Sequence, residues 1–471
     1  MSRQLRLVII AAVLVAALGV AALILLQPDS DGGNPLAFRD SVPTDVQSVH
    51  IENASGSFDV EAEGEGYKSD DIAPDVLDME EFVALMTYSG AVNALQSVDS
   101  NPSDLSLYGL DAPAATVDIA YKDGPALSLR IGSAEPISGN YYFSVGGKPA
   151  VYLMEAARCA PFLQPKKDYI DDVITPVSQM SSPLSAILDV TFTGGPLAEP
   201  ISIRAITGED KELSRIASSF GAPTHLVMGK GIHELDQTYG VDLLGSLLGL
   251  PATGIVGYNY TPQQISDFGF SKPSMQVAFD LKNGVDTEVV HYALSVLEKD
   301  GAFYLTCNDN GVIYQIDKPL FWSIQYDKLP VRWFLSPLMM DVESVELSTD
   351  GQTYTFDITG ETNADKKVTC NGAPMDIERF RTFYQLLISA ASDGLLVGED
   401  TPEGEPLLTL TYRYLDEEKK PDVMKLYKGT ARRVYVEVNG AMEFSMEEAY
   451  LARVQAAAAV IMTDKAFETE W

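Results

Sequence analysis

One plan of secondary structure is written three times along this chain, opening near Val46, Ile187 and Val342. That recurrence restricts the available folds more than any single motif does. In each copy two short strands come first, a helix follows, and a run of alternating strands broken by glycine turns completes the set. The first copy opens with Val46–Ile51, where Val46, Val49 and Ile51 are apolar, and a second strand around Phe58–Glu61. Its helix is capped by Asp78, with Glu81 three residues on as in a capping box and Phe82, Leu85 and Met86 as the inward stripe. Strands are expected over Thr116–Tyr121, Leu127–Ile131, Tyr141–Val145 and Val151–Met154, with turns at Asp123-Gly124 and Gly146-Gly147.

The second copy has Ile187, Val190 and Phe192 in its opening strand and its helix over Asp236–Leu248. Its later strands are Met275–Leu281, Val289–Leu297, Phe303–Thr306 and Val312–Ile316, with turns at Asn283-Gly284, Asp300-Gly301 and Asn310-Gly311. The third runs through Val342–Leu347, Tyr354–Ile358, a helix over Asp376–Ala391, strands at Leu407–Tyr414, Val423–Tyr427 and Val434–Val438, and a closing helix over Met446–Met462. Alternating strands joined by short glycine turns make antiparallel meanders, and a meander with a helix on one face is an α+β unit. The expected fold class is α+β: an N-terminal transmembrane helix followed by three related units at 46–182, 183–338 and 339–471. Rows of such units present long surfaces suited to protein contacts.

The transmembrane helix is expected from Leu7–Leu26, a run without charge or polar side chain, interrupted only by Gly19. As a helix it covers about 30 Å, the hydrocarbon thickness of a bilayer. Arg3 and Arg6 precede it while Asp29 and Asp31 follow it, which puts the N-terminus in the cytoplasm and the rest of the chain outside. The rival reading is a cleaved signal peptide, whose apolar core of about 7–15 residues ends at a small-x-small site. Here Ala21 and Ala22 are followed by Leu23, Ile24, Leu25 and Leu26, so the run reads as a retained anchor. With residues 1–26 as stub and helix, 27–45, rich in Asp, Gly, Pro and Ser, form a tether.

With 67 acidic and 33 basic side chains the net charge is −34. A phosphate backbone would be repelled, so nucleic acid is not expected as a partner. The ordinary reading of this charge is a solvated surface; recruitment of cations or of a basic partner protein is the sharper one. Three cysteines, Cys159, Cys307 and Cys370, make no disulfide framework and read as small buried apolar residues.

The segments Leu105-Ser106-Leu107-Tyr108-Gly109-Leu110-Asp111-Ala112-Pro113, Leu129-Arg130-Ile131-Gly132, Gly139-Asn140-Tyr141-Tyr142 and Val151-Tyr152 resemble the domain of unknown function 4340 family. An echo stands at Ile265-Ser266-Asp267-Phe268-Gly269-Phe270-Ser271-Lys272-Pro273, whereas the third copy lacks the Tyr-Gly-Leu element. The resemblance is taken to extend over a third to two thirds of the chain. It implies a membrane-anchored envelope protein, some relatives of which accompany ABC-type export or gliding-motility transport components, and it assigns no catalytic residue. Physically, Tyr108-Gly109-Leu110-Asp111-x-Pro113 reads as a turn feeding a strand, with Gly109 at positive φ, Leu110 pinning the loop and Pro113 stopping a helix.

No residue earns a catalytic, cofactor or metal role. His50, His225, His233 and His291 lack ligand spacing, and Gly229-Lys230-Gly231 lacks the rest of a phosphate loop. Thr306, Asn308, Asn310, Gly311 and Asp317 echo a calcium loop, but a hairpin turn explains them better. Adjacent carboxylates at Asp70-Asp71, Asp171-Asp172 and Glu447-Glu448 are expected by chance in so acidic a chain. The leading expectation is a non-enzymatic, single-pass extracytoplasmic accessory or scaffold of a membrane complex such as an ABC-type exporter. A binding module for polysaccharide or peptide, motivated by 22 Tyr, 18 Phe and 3 Trp, is the alternative. A hydrolase using paired carboxylates is the third.

Overall fold

Strands form where the sequence alternates. In Ala115–Tyr121 the side chains of Ala115, Val117, Ile119 and Tyr121 turn inward and those between them do not, the period-two signature of a sheet with one covered face. The computed structural model describes residues 36–471 apart from 64–65, 70–71, 181, 213–222, 230, 285–286, 394–401 and 403. The apolar run Leu7–Leu26, the tether up to residue 35, the Asp70-Asp71 pair and Lys230 therefore lie outside the described residues. No helix among the described residues is long and apolar enough to cross a membrane.

The first strands are β1 (Leu36–Ala37), β2 (Val46–Asn53), β3 (Gly56–Glu63), β4 (Gly66–Ser69), β5 (Asn93–Ala94), β6 (Gln96–Asp99), β7 (Ala115–Tyr121), β8 (Leu127–Ala134), β9 (Tyr141–Val145) and β10 (Val151–Met154). Except for the short β1–β5 pair they form one antiparallel sheet in the order β4-β3-β2-β7-β8-β9-β10-β6. Helices α1 (Met79–Gly90) and α2 (Ala156–Leu163) accompany it. Asp78 caps α1, its carboxylate accepting from the amides of Glu80 and Glu81. The reciprocal bond of a capping box is replaced: the Asp78 amide donates to Tyr169 O at 2.8 Å, and Glu81 Oε2 accepts from Gln164 Nε2 at 3.1 Å.

The Tyr108-Gly109-Leu110 element ends a single 3-10 turn, Leu105–Tyr108. Gly109 lies at φ 66°, a conformation that suits glycine, and Leu110 is fully buried beyond it. Gly132 on β8 makes this possible, because a Cβ there would stand 2.1 Å from Tyr108 O. In the echo in the second copy Gly269 is also at positive φ, but at 141° within a kinked π turn, Ser266–Phe270, and Phe270 is buried.

By its contacts the chain divides into two compact units. One runs to Ile174 and takes in Pro251–Lys272 and Val296–Asp317; the other comprises Thr175–Leu250, Pro273–Ser295 and Lys318–Trp471. The next strands are β11 (Ile187–Gly194), β12 (Ile201–Ala205), β13 (His225–Met228), β14 (Ile232–Glu234), β15 (Gly254–Gly257), β16 (Met275–Leu281), β17 (Val290–Lys299), β18 (Ala302–Cys307) and β19 (Ile313–Ile316). The unit boundary falls inside β17: the order is β14-β13-β12-β11-β16-β17 in the second unit and β17-β18-β19-β15 in the first.

The remaining strands belong to the second unit: β20 (Val342–Thr349), β21 (Gln352–Thr359), β22 (Lys367–Cys370), β23 (Ala373–Met375), β24 (Leu408–Tyr414), β25 (Asp422–Lys428), β26 (Arg433–Val438) and β27 (Ala441–Glu447), in the order β23-β22-β21-β20-β24-β25-β26-β27. After the short helices α3 (Tyr239–Gly245) and α4 (Pro262–Ile265) come α5 (Ile377–Leu387) and α6 (Glu448–Ala458). The core against this sheet is built from Phe356, Leu410, Leu426 and Val436, with Phe380 and Phe383 of α5 and Tyr450 and Val454 of α6. Each large apolar side chain so buried contributes roughly 1.5–3 kcal/mol.

The architecture is thus α+β with antiparallel sheets. Several expected boundaries shift. The helix expected over Asp236–Leu248 is only α3, since Gly240, Gly245 and Gly249 raise the cost of helix, and Gly249 turns to φ 63°. The helix capped by Asp376 stops at Leu387 rather than Ala391, which bridges to Trp333 instead. The closing helix begins at Glu448, because Met446 and Glu447 are taken up by β27 in its pairing with β26. In the β18–β19 loop Gly311 of the expected Asn310-Gly311 turn lies at φ 77°, and Asn308 and Asp309, at φ 50° and 52°, extend the left-handed stretch two residues earlier.

Candidate functional site

The strongest polar constellation in the second unit centres on Glu443, whose side chain is 4% exposed on β27. Three donors converge on it. The Gly231 amide donates to Oε1 at 2.6 Å, Tyr326 Oη donates to Oε2 at 3.0 Å, and His233 Nε2 donates to the same Oε2. β14 carries His233 and holds it edge-on to Phe444, with ring centroids 5.5 Å apart. Tyr326 comes from the 3-10 turn Tyr326–Lys328. The turn between β13 and β14 supplies the last component: a Cβ on Gly229 would lie 1.7 Å from Tyr326 Oη, so only glycine admits the phenol.

Burial pushes the Glu443 carboxyl up, but the bonds from His233, Gly231 and Tyr326 outweigh it and the pKa settles below the ordinary value. Tyr326 is raised by burial and by the Glu443 charge, so it remains a neutral donor. A carboxylate with both oxygens engaged is poorly disposed to take a proton from a substrate. What the constellation does is tie three distant stretches of chain together.

A cavity of about 40 Å³ adjoins it, walled by Trp333, Phe334, Tyr414 and Phe444 and by the acids Glu234, Asp327 and Asp422. Asp422 is fully buried and accepts from Tyr414 Oη at 2.6 Å and Asn439 Nδ2 at 2.7 Å. Such a space holds two or three water-sized groups, against roughly 300–1,000 Å³ for ordinary small-molecule pockets.

The other histidines stand apart from this constellation. His50 pairs with Asp59 at 2.6 Å on an open face of the first sheet, and that contact raises its pKa. His291 meets Asp280 at 2.8 Å. His225 is buried, its Nε2 on Ile187 O at 2.8 Å, and burial lowers its pKa. Asp171 is raised by burial while its carboxylate accepts from the Val173 amide. Among the described residues no group of three or more His, Cys, Asp and Glu is arranged to hold a metal ion. No spacing in the sequence signals the pairing of His233 with Glu443; its one local trace is the Gly229-x-Gly231 turn, which lacks the rest of a phosphate loop.

The geometry describes an α+β chain of antiparallel sheets, and one stretch of it resembles a family. Residues 90–182, which hold β5 to β10 and α2, match the family described as Domain of unknown function (DUF4340). This stretch encloses the Leu105–Pro113 element but amounts to about a fifth of the chain, less than the third to two thirds expected, and the echo at Ile265–Pro273 lies outside it. No curated protein and no solved structure matches the chain.

Proposed function

We propose that this chain is a non-enzymatic, single-pass, membrane-anchored extracytoplasmic protein acting as an accessory or scaffold of a membrane complex such as an ABC-type exporter, with three related α+β units after its anchor. The observation that carries this reading is a repeated strand order. In each sheet the opening strand, β2, β11 or β20, sits between its hairpin partner and the strand that follows the helix region. Each opening strand also breaks register with that later strand at the same step, between Val46 and Ser48, Ile187 and Asp189, and Val342 and Ser344. A shared bulge at one position is a designed feature of a module and is not generic to sheets. Repeated modules on one anchor supply extended protein-binding surface, and the charge of −34 suits a protein partner over nucleic acid.

The test is co-purification of the full chain after cross-linking in native membranes and mild detergent extraction. Recovery of an integral-membrane permease supports the proposal; recovery of the chain alone, while another membrane complex survives the same extraction, overturns it. A second reading, an extracytoplasmic binder of peptide or polysaccharide, is motivated by the chain's 22 Tyr, 18 Phe and 3 Trp. The absence of any thermal shift with glycan and peptide panels would remove it.

A further inference from the structure

Beyond α6 the chain runs on without helix or strand, and residues 464–471 lie along the second unit held by side chains. Two aromatic anchors fix them. The Phe467 ring stands edge-on to Phe383 of α5 at 6.0 Å, with the Arg379 guanidinium 4.9 Å from its centroid. Trp471 packs edge-on to Tyr450 of α6 at 5.3 Å, and its indole N–H donates to Ser389 Oγ at 2.8 Å. Between the anchors Glu468 meets Arg453 of α6 at 2.5 Å. Arg379 completes the seat, donating to Val460 O and Ile461 O at the end of α6 and to Lys465 O on the strap.

We infer that the face formed by α5 and α6 is a peptide-docking site whose recognition elements are an aromatic pair four residues apart with an acid beside the first. Its occupant in trans is the same segment, Asp464–Trp471, of a second copy of this chain. Three observations support this assignment. The strap contributes no strand to a sheet, so leaving does not break a ladder. Its anchors are an aromatic–cation contact, an aromatic edge contact and a hydrogen-bonded indole, the residue types that concentrate binding energy in interfaces. The seat is a preformed helix pair, so an incoming identical segment meets a surface already ordered, and exchange of an identical element between copies makes few new demands on either. This goes beyond the scaffold reading, since it concerns contact between copies and not a permease.

The experiment uses the full chain truncated after Thr463, in detergent, with a fluorescein-labelled peptide of residues 464–471 as probe. The truncated chain is expected to bind the peptide saturably, the intact chain to bind it weakly because its seat is filled, and Arg379→Ala in the truncated background to weaken binding roughly tenfold or more. Immobilised truncated chain is further expected to capture the intact chain through its strap, and not to capture an intact-length Phe467→Ala/Trp471→Ala variant. That double variant also serves as the seat donor for the peptide if truncation prevents folding. Failure of the peptide to bind a folded strap-free chain, or equal binding to strapped and strap-free forms, overturns the docking site. Peptide binding without capture of the intact chain overturns the second copy as occupant.

Discussion

His233 and Glu443, separated by 210 positions in sequence, meet as a shielded pair in which the imidazole N–H donates to a carboxylate that two further donors also hold. Removing one partner strands the other. We predict that His233→Ala costs the second unit about 3 kcal/mol, the usual loss when one member of a shielded pair is removed. Hydrogen exchange read by mass spectrometry should show faster exchange over 231–234 and 441–447, with the DUF4340 segment unchanged. Unaltered protection at both places would contradict the tie.

His225 gives the second unit an acid sensitivity. Its pKa in the fold is depressed, by burial first, so between that value and the ordinary 6.5 the unfolded chain is protonated and the folded one is not. Stability then rises with pH in that window: the contribution is complete above 6.5 and is lost as pH falls below it. His50, in the first unit, acts oppositely, its raised pKa giving stability that is present below 6.5 and lost as pH climbs through the raised value. Urea midpoints of wild type and His225→Gln between pH 7.5 and 5.5 separate the two; the wild-type midpoint should fall more steeply, and parallel curves would dismiss His225.

Gly132 explains a glycine in the family-like segment by space alone. A methyl there meets Tyr108 O at 2.1 Å and Leu110 Cδ2 at 3.1 Å, on a turn whose next residue, Gly109, is committed to positive φ. We predict that Gly132→Ala destabilises the first unit by roughly 2 kcal/mol, within the range for overpacking. A thermal melt within a degree or so of wild type would show that the 3-10 turn gives way freely.

Most of the strand pattern was legible because alternation is a local property: β7 and β16 carry their inward set at every second residue throughout, and β2 and β20 do so once past the bulge at their start. Helix starts at Asp78 and Asp376 were legible for the same reason, since a cap is written within four positions. What escaped was set at a distance. Ala441–Glu447 carries Ala, Met and Glu, residues at home in helices, yet pairing with β26 and packing of Phe444 make it a strand. The short strands β6, β14 and β15 lie at sheet edges, where too few residues repeat to establish a period. Glu443 was one acid among 67, and nothing near it in sequence announces His233.

The thiols make an independent check on burial. Cys159 and Cys307 are pushed up to about 12 by desolvation, and Cys370 is raised by the same cause, so the thiolate that reacts with alkylating agents is scarce at neutral pH. All three are free and buried. Iodoacetamide at pH 8 should leave the native chain unmodified by mass and label all three positions in guanidinium. Fast native labelling at any one of them would mean that its sheet opens there.

Tyr412 carries a polar atom that its surroundings do not use. The residue is fully buried, its ring 6.0 Å from that of Tyr384, and among the described residues its hydroxyl has no hydrogen-bond partner. A hydroxyl buried in this way gives up its hydration without recovering a bond, a penalty of roughly 1–3 kcal/mol. Neighbouring tyrosines differ: Tyr384 donates to Pro337 O at 2.8 Å, Tyr450 to Leu387 O at 2.9 Å and Tyr414 to Asp422 at 2.6 Å. Tyr412→Phe should therefore hold or raise the stability of the second unit by about 1 kcal/mol, while Tyr450→Phe, which abandons a buried carbonyl, should lower it by about the same amount. Guanidinium unfolding of both variants, followed through exchange protection in β24 and α6, tests the contrast; a loss from Tyr412→Phe as large as that from Tyr450→Phe would show that the hydroxyl is engaged after all.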